Sequence, residues 1–147
     1  MATARKFEDL NVWQDVRQLV GAVYSASKAR AFNQDFGLRE QIRRAAVSTM
    51  SNIAEGFERG SRKEFVQFLN IAKASNGEVR SQLHVALDQK YIGEKEFAAL
   101  CETAVTLSKK LSAFIRYLDG CAGDSRVKKP VRPHNNLQPS TRNLQPA

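Results

Sequence analysis

Ser51-Asn52-Ile53-Ala54-Glu55-Gly56-Phe57-Glu58-Arg59-Gly60-Ser61-Arg62-Lys63-Glu64 is the stretch on which the fold turns. Upstream of it, Leu38, Ile42, Ala45, Ala46, Thr49 and Ile53 recur at steps of three and four, the period of one helix face. Small side chains at Ala45, Ala46 and Ser48 allow a second helix to come close. Gly56 or Gly60 supplies the stop. Ser61 and Glu64 then have the spacing of a capping box. In such a box the Ser61 hydroxyl accepts from the Glu64 backbone N–H, and the Glu64 side chain reaches back to Ser61. A new apolar stripe follows at once: Phe65, Phe68, Leu69, Ala72, Val79, Leu83, Ala86 and Leu87. Two long amphipathic helices joined by so short a link are antiparallel neighbours.

The same pattern extends in both directions. A first helix is predicted from about Glu8 to Lys28, with Leu10, Trp13, Val16, Val20 and Val23 on one stripe. Asp9 in its first turn and Lys28 in its last suit the helix dipole. Asn33 or Asp35 caps the second helix. The third helix runs to about Lys90, and Tyr91-Ile92-Gly93 turns the chain. The fourth spans about Glu94 to Leu118. Phe97, Leu100, Ala104, Leu107, Leu111, Phe114 and Leu118 form a heptad seam there. A weaker stripe beside it, Cys101, Val105, Ser108, Ser112 and Ile115, offers that helix a second neighbour. No segment alternates like a half-buried strand. The expected fold is all-α, an antiparallel up-down four-helix bundle over residues 7–119.

Residues 120–147 read differently. They contain all four prolines, and Asn-Leu-Gln-Pro occurs twice, at Asn136–Pro139 and Asn143–Pro146. Such a segment buries too little apolar surface to offset its ordering, so a basic, disordered tail is expected.

Charge and composition narrow the function. The chain carries a net +8. Residues 1–120 hold 18 Lys and Arg against 14 Asp and Glu, and residues 121–147 hold 5 against 1, so each part contributes +4. This excess permits contact with RNA or DNA. No apolar run reaches the roughly 18–20 residues of a membrane span, and Met1–Leu10 does not resemble a signal peptide. A cytoplasmic protein with no membrane partner is expected. Cys101 and Cys121 have no metal or redox spacing. His84 and His134 form no metal pair, and no phosphate-binding glycine loop is present. No metal, no cofactor and no enzymatic activity are expected.

Two residue sets stand out. Gln41, Arg44, Ser48, Asn52 and Glu55 share one helix face, and Ser75 and Glu78 lie a turn apart on the next helix. Gln41, Ser48, Asn52, Glu55, Ser75 and Glu78 are read as a structural polar network fixing helix register. An acid/base pair of Glu55 and Glu78 is the catalytic alternative. Arg43, Arg44, Arg59, Arg62, Lys63, Lys73 and Arg80 are the expected nucleic-acid contacts. Their bland reading is a solvated face interspersed with Glu40, Glu58, Glu64 and Glu78.

Three groups of residues carry a resemblance. Phe7-x-Asp9-Leu10-x-Val12-Trp13-Gln14 opens the chain. Gly37-Leu38-x-x-Gln41-Ile42-Arg43-Arg44-Ala45-Ala46-x-Ser48 leads into Asn52-Ile53-Ala54-Glu55-Gly56. Glu64-Phe65-x-x-Phe68-Leu69-x-x-Ala72-x-x-Ser75-x-x-Glu78-Val79 follows. Over residues 7 to about 118 the chain resembles the four-helix-bundle proteins encoded by intervening sequences of bacterial 23S ribosomal RNA genes. It is also similar to the accessory protein of diversity-generating retroelements. The resemblance implies a ring-like homopentamer, with nucleic acid and a reverse transcriptase as candidate partners. The function it implies is a non-catalytic, homo-oligomeric binder of nucleic acid, or an adaptor to a nucleic-acid enzyme. The alternative is a purely structural protein with no ligand.

Overall fold

The structure, a computed structural model, describes residues 4–121. A single 3-10 turn, Phe7–Asp9, precedes helices α1 (Asn11–Ser27), α2 (Arg30–Gln34), α3 (Phe36–Glu58), α4 (Arg62–Asp88) and α5 (Glu94–Gly120). Among the described residues there is no strand. Helix α1 packs on α3, α3 on α4, α4 on α5, and α5 back on α1. The four long helices thus close into an antiparallel bundle. The α3–α4 seam is the most extensive and the α5–α1 seam the least. Val16, Leu19, Ile42, Ile53, Phe68, Leu69, Leu107 and Leu111 fill the interior from all four.

The short α2 is absent from the predicted pattern. It buries Phe32, whose ring stacks on Tyr91 at 5.4 Å. Asp35 does two jobs at this end. One carboxylate oxygen accepts from the Leu38 N–H and caps α3, while the other accepts the Tyr91 hydroxyl at 2.9 Å. That hydrogen bond raises the Tyr91 phenol pKa above its ordinary value, with burial and the Asp35 charge adding to it. The first helix starts later than expected. Leu10 is extended, so Asp9 belongs to the 3-10 turn, where it accepts from the Arg5 and Lys6 N–H groups.

The segment that opened the reading is corrected in two details. Gly60, at φ +74, makes the stop; that left-handed geometry favours glycine. Gly56 is helical and buried inside α3. A Cβ built on it would stand 2.5 Å from the Phe68 Cβ. It is the point of closest approach of α3 to α4 rather than a terminator. Ser61 caps α4 by accepting from the Glu64 N–H at 3.3 Å. The return half of the box is not made. The Glu64 carboxylate is 1% exposed and accepts no hydrogen bond; Arg59 lies 4.0 Å away. Helix α4 ends with Lys90 in the left-handed region.

The helical region of the described residues runs from Phe7 to Gly120. The tail expected at residues 120–147 falls, from residue 122 onward, outside the described residues.

Candidate nucleic-acid interface

Helices α3 and α4 set the geometry of both predicted residue sets. Residue 48 faces residue 75, and residue 56 faces residue 68. The Ser48 and Ser75 hydroxyls share a 3.0 Å hydrogen bond. Asn52 Nδ2 donates to the Ser48 carbonyl at 2.7 Å and to its hydroxyl at 3.0 Å. Ser48, Asn52 and Ser75 therefore form the core of the expected network. Gln41 is exposed. Glu55 faces solvent and bonds Arg59 Nη2 at 3.0 Å.

Glu78 is half-buried on α4, opposite residues 45–46 in this register. Glu55 is opposite residues 68–69. At 1.5 Å rise per residue the two carboxylates are about 15 Å apart along the bundle. The acid/base pair is not assembled, because an antiparallel register separates residues that lie at the same ends of their helices' motifs.

Two polar contacts were not foreseen. Asn76 is fully buried, and its Nδ2 donates to the Ala104 carbonyl at 2.7 Å, tying α4 to α5. Arg43 Nε donates to Ser27 Oγ at 2.8 Å. Its guanidinium also covers the Tyr24 ring at 4.6 Å.

The seven basic residues fall in three places. Arg43 faces α1 through those contacts, and Arg44 beside it is exposed. Lys73 and Arg80 are exposed and seven residues apart on one side of α4. Arg80 lies near Cys101 of α5, where its charge is felt. Burial pushes the Cys101 thiol pKa up and Arg80 partly opposes it, so this cysteine is a poor thiolate nucleophile. Arg59, Arg62 and Lys63 form the α3–α4 corner, about 24 Å along α3 from Arg43. Arg59 is engaged there with Glu55 and Glu64, and it covers Phe68 at 5.1 Å. Arg62 is half-exposed and Lys63 exposed; neither makes an ion pair among the described residues.

That corner belongs to one end of the bundle. Helix α1 begins there, α3 ends, α4 begins and α5 ends. Between them lies a groove of about 580 Å³ lined mainly by Leu10, Phe57, Phe65, Phe114 and Tyr117. Phe65 packs edge-on against Phe57 at 5.9 Å and against Phe114 at 5.3 Å. Tyr117 is 54% exposed. The heptad seam included Phe114, but nothing in its spacing distinguished a groove wall from core.

The profile of the 23S rRNA-intervening sequence protein family matches residues 8–113. The chain belongs to that family. A solved protein of unknown function from Bacteroides thetaiotaomicron, assigned to the S23 ribosomal protein family, has the same fold. Its TM-score is 0.67 at 23% identity, over 71% of this chain and 98% of that one. No curated protein matches the chain. The family's bundle accounts for the matched region from the 3-10 turn through most of α5. The Phe114 and Tyr117 side of the groove lies just beyond the match. Among the described residues no cluster of His, Cys, Asp or Glu could hold a metal ion, and no helix is long and apolar enough to cross a membrane.

Proposed function

We propose that this protein is a non-catalytic, self-associating bundle that binds nucleic acid at the α3–α4 corner. One observation carries the reading. Arg62 and Lys63, which make no ion pair among the described residues, sit at the same end as the last turn of α5. From that end the chain continues into residues 122–147, which hold Arg126, Lys128, Lys129, Arg132 and Arg142 against Asp124. The N-terminus of a long helix adds the positive end of its dipole. Arg44, Lys73 and Arg80 are secondary contacts on the flanks, while Arg43 and Arg59 serve the fold.

Self-association multiplies the effect. The helical part carries +4 per copy, as counted above, and a pentameric ring of the kind expected for this family would concentrate weak phosphate contacts by avidity. The half-buried second stripe of α5, Cys101, Val105, Ser108, Ser112 and Ile115, supplies a surface for such contacts. The same assembly could present nucleic acid to a polymerase such as a reverse transcriptase.

The test is retention of labelled RNA by the full chain across a salt series. Neutralising about four to six phosphates per copy gives a log–log slope of about −3 to −4 for single strands. Arg62→Glu with Lys63→Glu flattens that slope by one to two. An affinity independent of salt refutes the reading. The engagement of Arg43 and Arg59 inside the fold favours the alternative, a structural protein with no ligand, which predicts no retention at any salt. Light scattering separately checks self-association; a monomer removes the avidity argument.

A further inference from the structure

We infer that the groove among the helix ends is the docking site of this chain's own Asn-Leu-Gln-Pro units, residues 136–139 and 143–146, which occupy it one at a time. Such docking needs no nucleic acid. The groove is a wall of rings and aliphatic side chains, Leu10, Phe57, Phe65, Phe114 and Tyr117, and Tyr117 is more than half exposed. Large rings left in water at one place mark a docking surface.

The charges select the chemistry of the occupant. Asp9 and Lys110 are the charged residues lining the groove among the described residues. The Asp9 carboxylate accepts from the Arg5 and Lys6 backbone N–H groups, and Lys110 is paired with Asp15. At the rim Glu58 and Asp119 offset Arg62 and Arg116. No net charge is left for a ligand, so the occupant is apolar and uncharged. Asn-Leu-Gln-Pro carries no charge and supplies a leucine and a proline ring. The chain's other two prolines, Pro130 and Pro133, stand among Lys128, Lys129 and Arg132, which this groove gives no partner.

Place and length bring the units there. Helix α5 supplies Phe114 and Tyr117 and ends at Gly120, so the chain leaves from the groove's own wall. Residues 122–135 precede the first unit and reach at most about 45–50 Å. Packed helices lie only about 8–10 Å apart, so that link crosses the groove with length to spare. A short tether sets an effective concentration on the order of 1 mM, and an intrinsic affinity of about 1 mM then fills the groove in about half the copies.

The backbone chemistry agrees. A proline restricts the residue before it to extended backbone, so Leu-Gln-Pro needs little further ordering to lie along a groove. Aromatic-lined grooves take up extended proline-containing segments for this reason. Leu10 caps α1 with no side-chain hydrogen bond, and it lines the groove with Asn11 and Val12. The amide oxygens of the unit are uncharged acceptors suited to the first N–H groups of that helix.

The experiment is methyl NMR of the full chain with a nitroxide at Ser140→Cys, between the two units, in a Cys101→Ala, Cys121→Ala background. The groove methyls of Leu10, Val12 and Ala113 broaden, and those of Leu38 and Leu83 at the opposite end do not. Leu137→Ser, Pro139→Ser, Leu144→Ser and Pro146→Ser together lie outside the bundle and leave it folded, as circular dichroism verifies. Losing the buried leucine alone weakens docking about tenfold or more, so the broadening in this variant falls to the level of an undocked tether. Tyr117→Ala lowers it in the same direction. Broadening that is absent, or unchanged by the fourfold substitution, overturns the inference. Full broadening in a mixture of spin-labelled and methyl-labelled chains assigns the groove to a neighbouring copy's units and also overturns it.

Discussion

Replacing Gly56 by alanine tests the packing that holds the corner. The added Cβ would lie 2.5 Å from the Phe68 Cβ and 3.0 Å from Phe65 Cδ1. Carbon atoms rest at about 3.5–4.0 Å, so α3 and α4 must part locally by about 1 Å or more. The Phe68 Cβ is fixed to the backbone of α4, and no rotamer change relieves the clash. Overpacking of this kind costs about 1–3 kcal/mol. Alanine's better helix propensity returns about 0.8–1 kcal/mol. The net is a loss of up to about 2 kcal/mol, or up to about 8 °C in Tm at roughly 4 °C per kcal/mol.

Gly77→Ala and Gly21→Ala are the controls. Both glycines are helical and exposed with nothing within 4 Å of the added Cβ, so each substitution gains about 0.5–1 kcal/mol. The assay is thermal melting by far-UV circular dichroism at one fixed protomer concentration, since self-association makes Tm concentration-dependent. A Gly56→Ala protein that melts with the controls, at or above the parent, refutes the close-approach argument.

Other substitutions test other contacts. Glu64→Gln removes a buried carboxylate that accepts no hydrogen bond and raises stability by about 1 kcal/mol in urea denaturation. Arg59→Ala strips Glu64 of its neighbouring cation and lowers stability by about 2–3 kcal/mol; the reverse order of the two refutes the pairing. Asn76→Leu leaves the Ala104 carbonyl its helical donor and removes a buried amide oxygen without a partner, so stability holds or rises by about 1 kcal/mol. A loss above about 2 kcal/mol would show that the α4–α5 bond outweighs that orphan. Tyr91 holds its proton more tightly folded than unfolded. Its contribution is therefore complete below the ordinary tyrosine value near 10 and falls as pH rises through the folded value. The Tm gap between the parent and Tyr91→Phe narrows above about pH 10; a constant gap to about pH 11 sinks the assignment.

Much of the fold was legible because helix periodicity survives in the residues themselves. Leu100, Ala104, Leu107 and Leu111 are all buried as the heptad requires. The segment around Gly56 shows where reading stops. Gly56 and Gly60 look alike as helix stops, and only the partner helix reveals that one is an end and the other a contact. The Ser48–Asn52–Ser75 cluster was visible because both helices carried their polar residues in register. Asn76 stands beside Ser75 in α4, but its partner is a backbone carbonyl, which sequence does not mark. The basic residues were legible as types and not as a surface. Helix rotation sent Arg43 to α1 and Arg80 toward α5, and Arg59 was drawn to Glu55 and Glu64. The groove escaped because it lies among four helix ends, which no single periodic pattern describes.

The α5–α1 seam, the least extensive of the four, joins the first long helix to the last. During synthesis, α1, α3 and α4 can assemble as soon as Asp88 is free, but the wall that α5 covers stays bare until the chain reaches Gly120. At about 5–20 residues per second the 27 residues of α5 take about one to five seconds. For that interval the nascent chain offers an open apolar wall, and a ribosome further ahead on the same message supplies another copy of α5 to meet it.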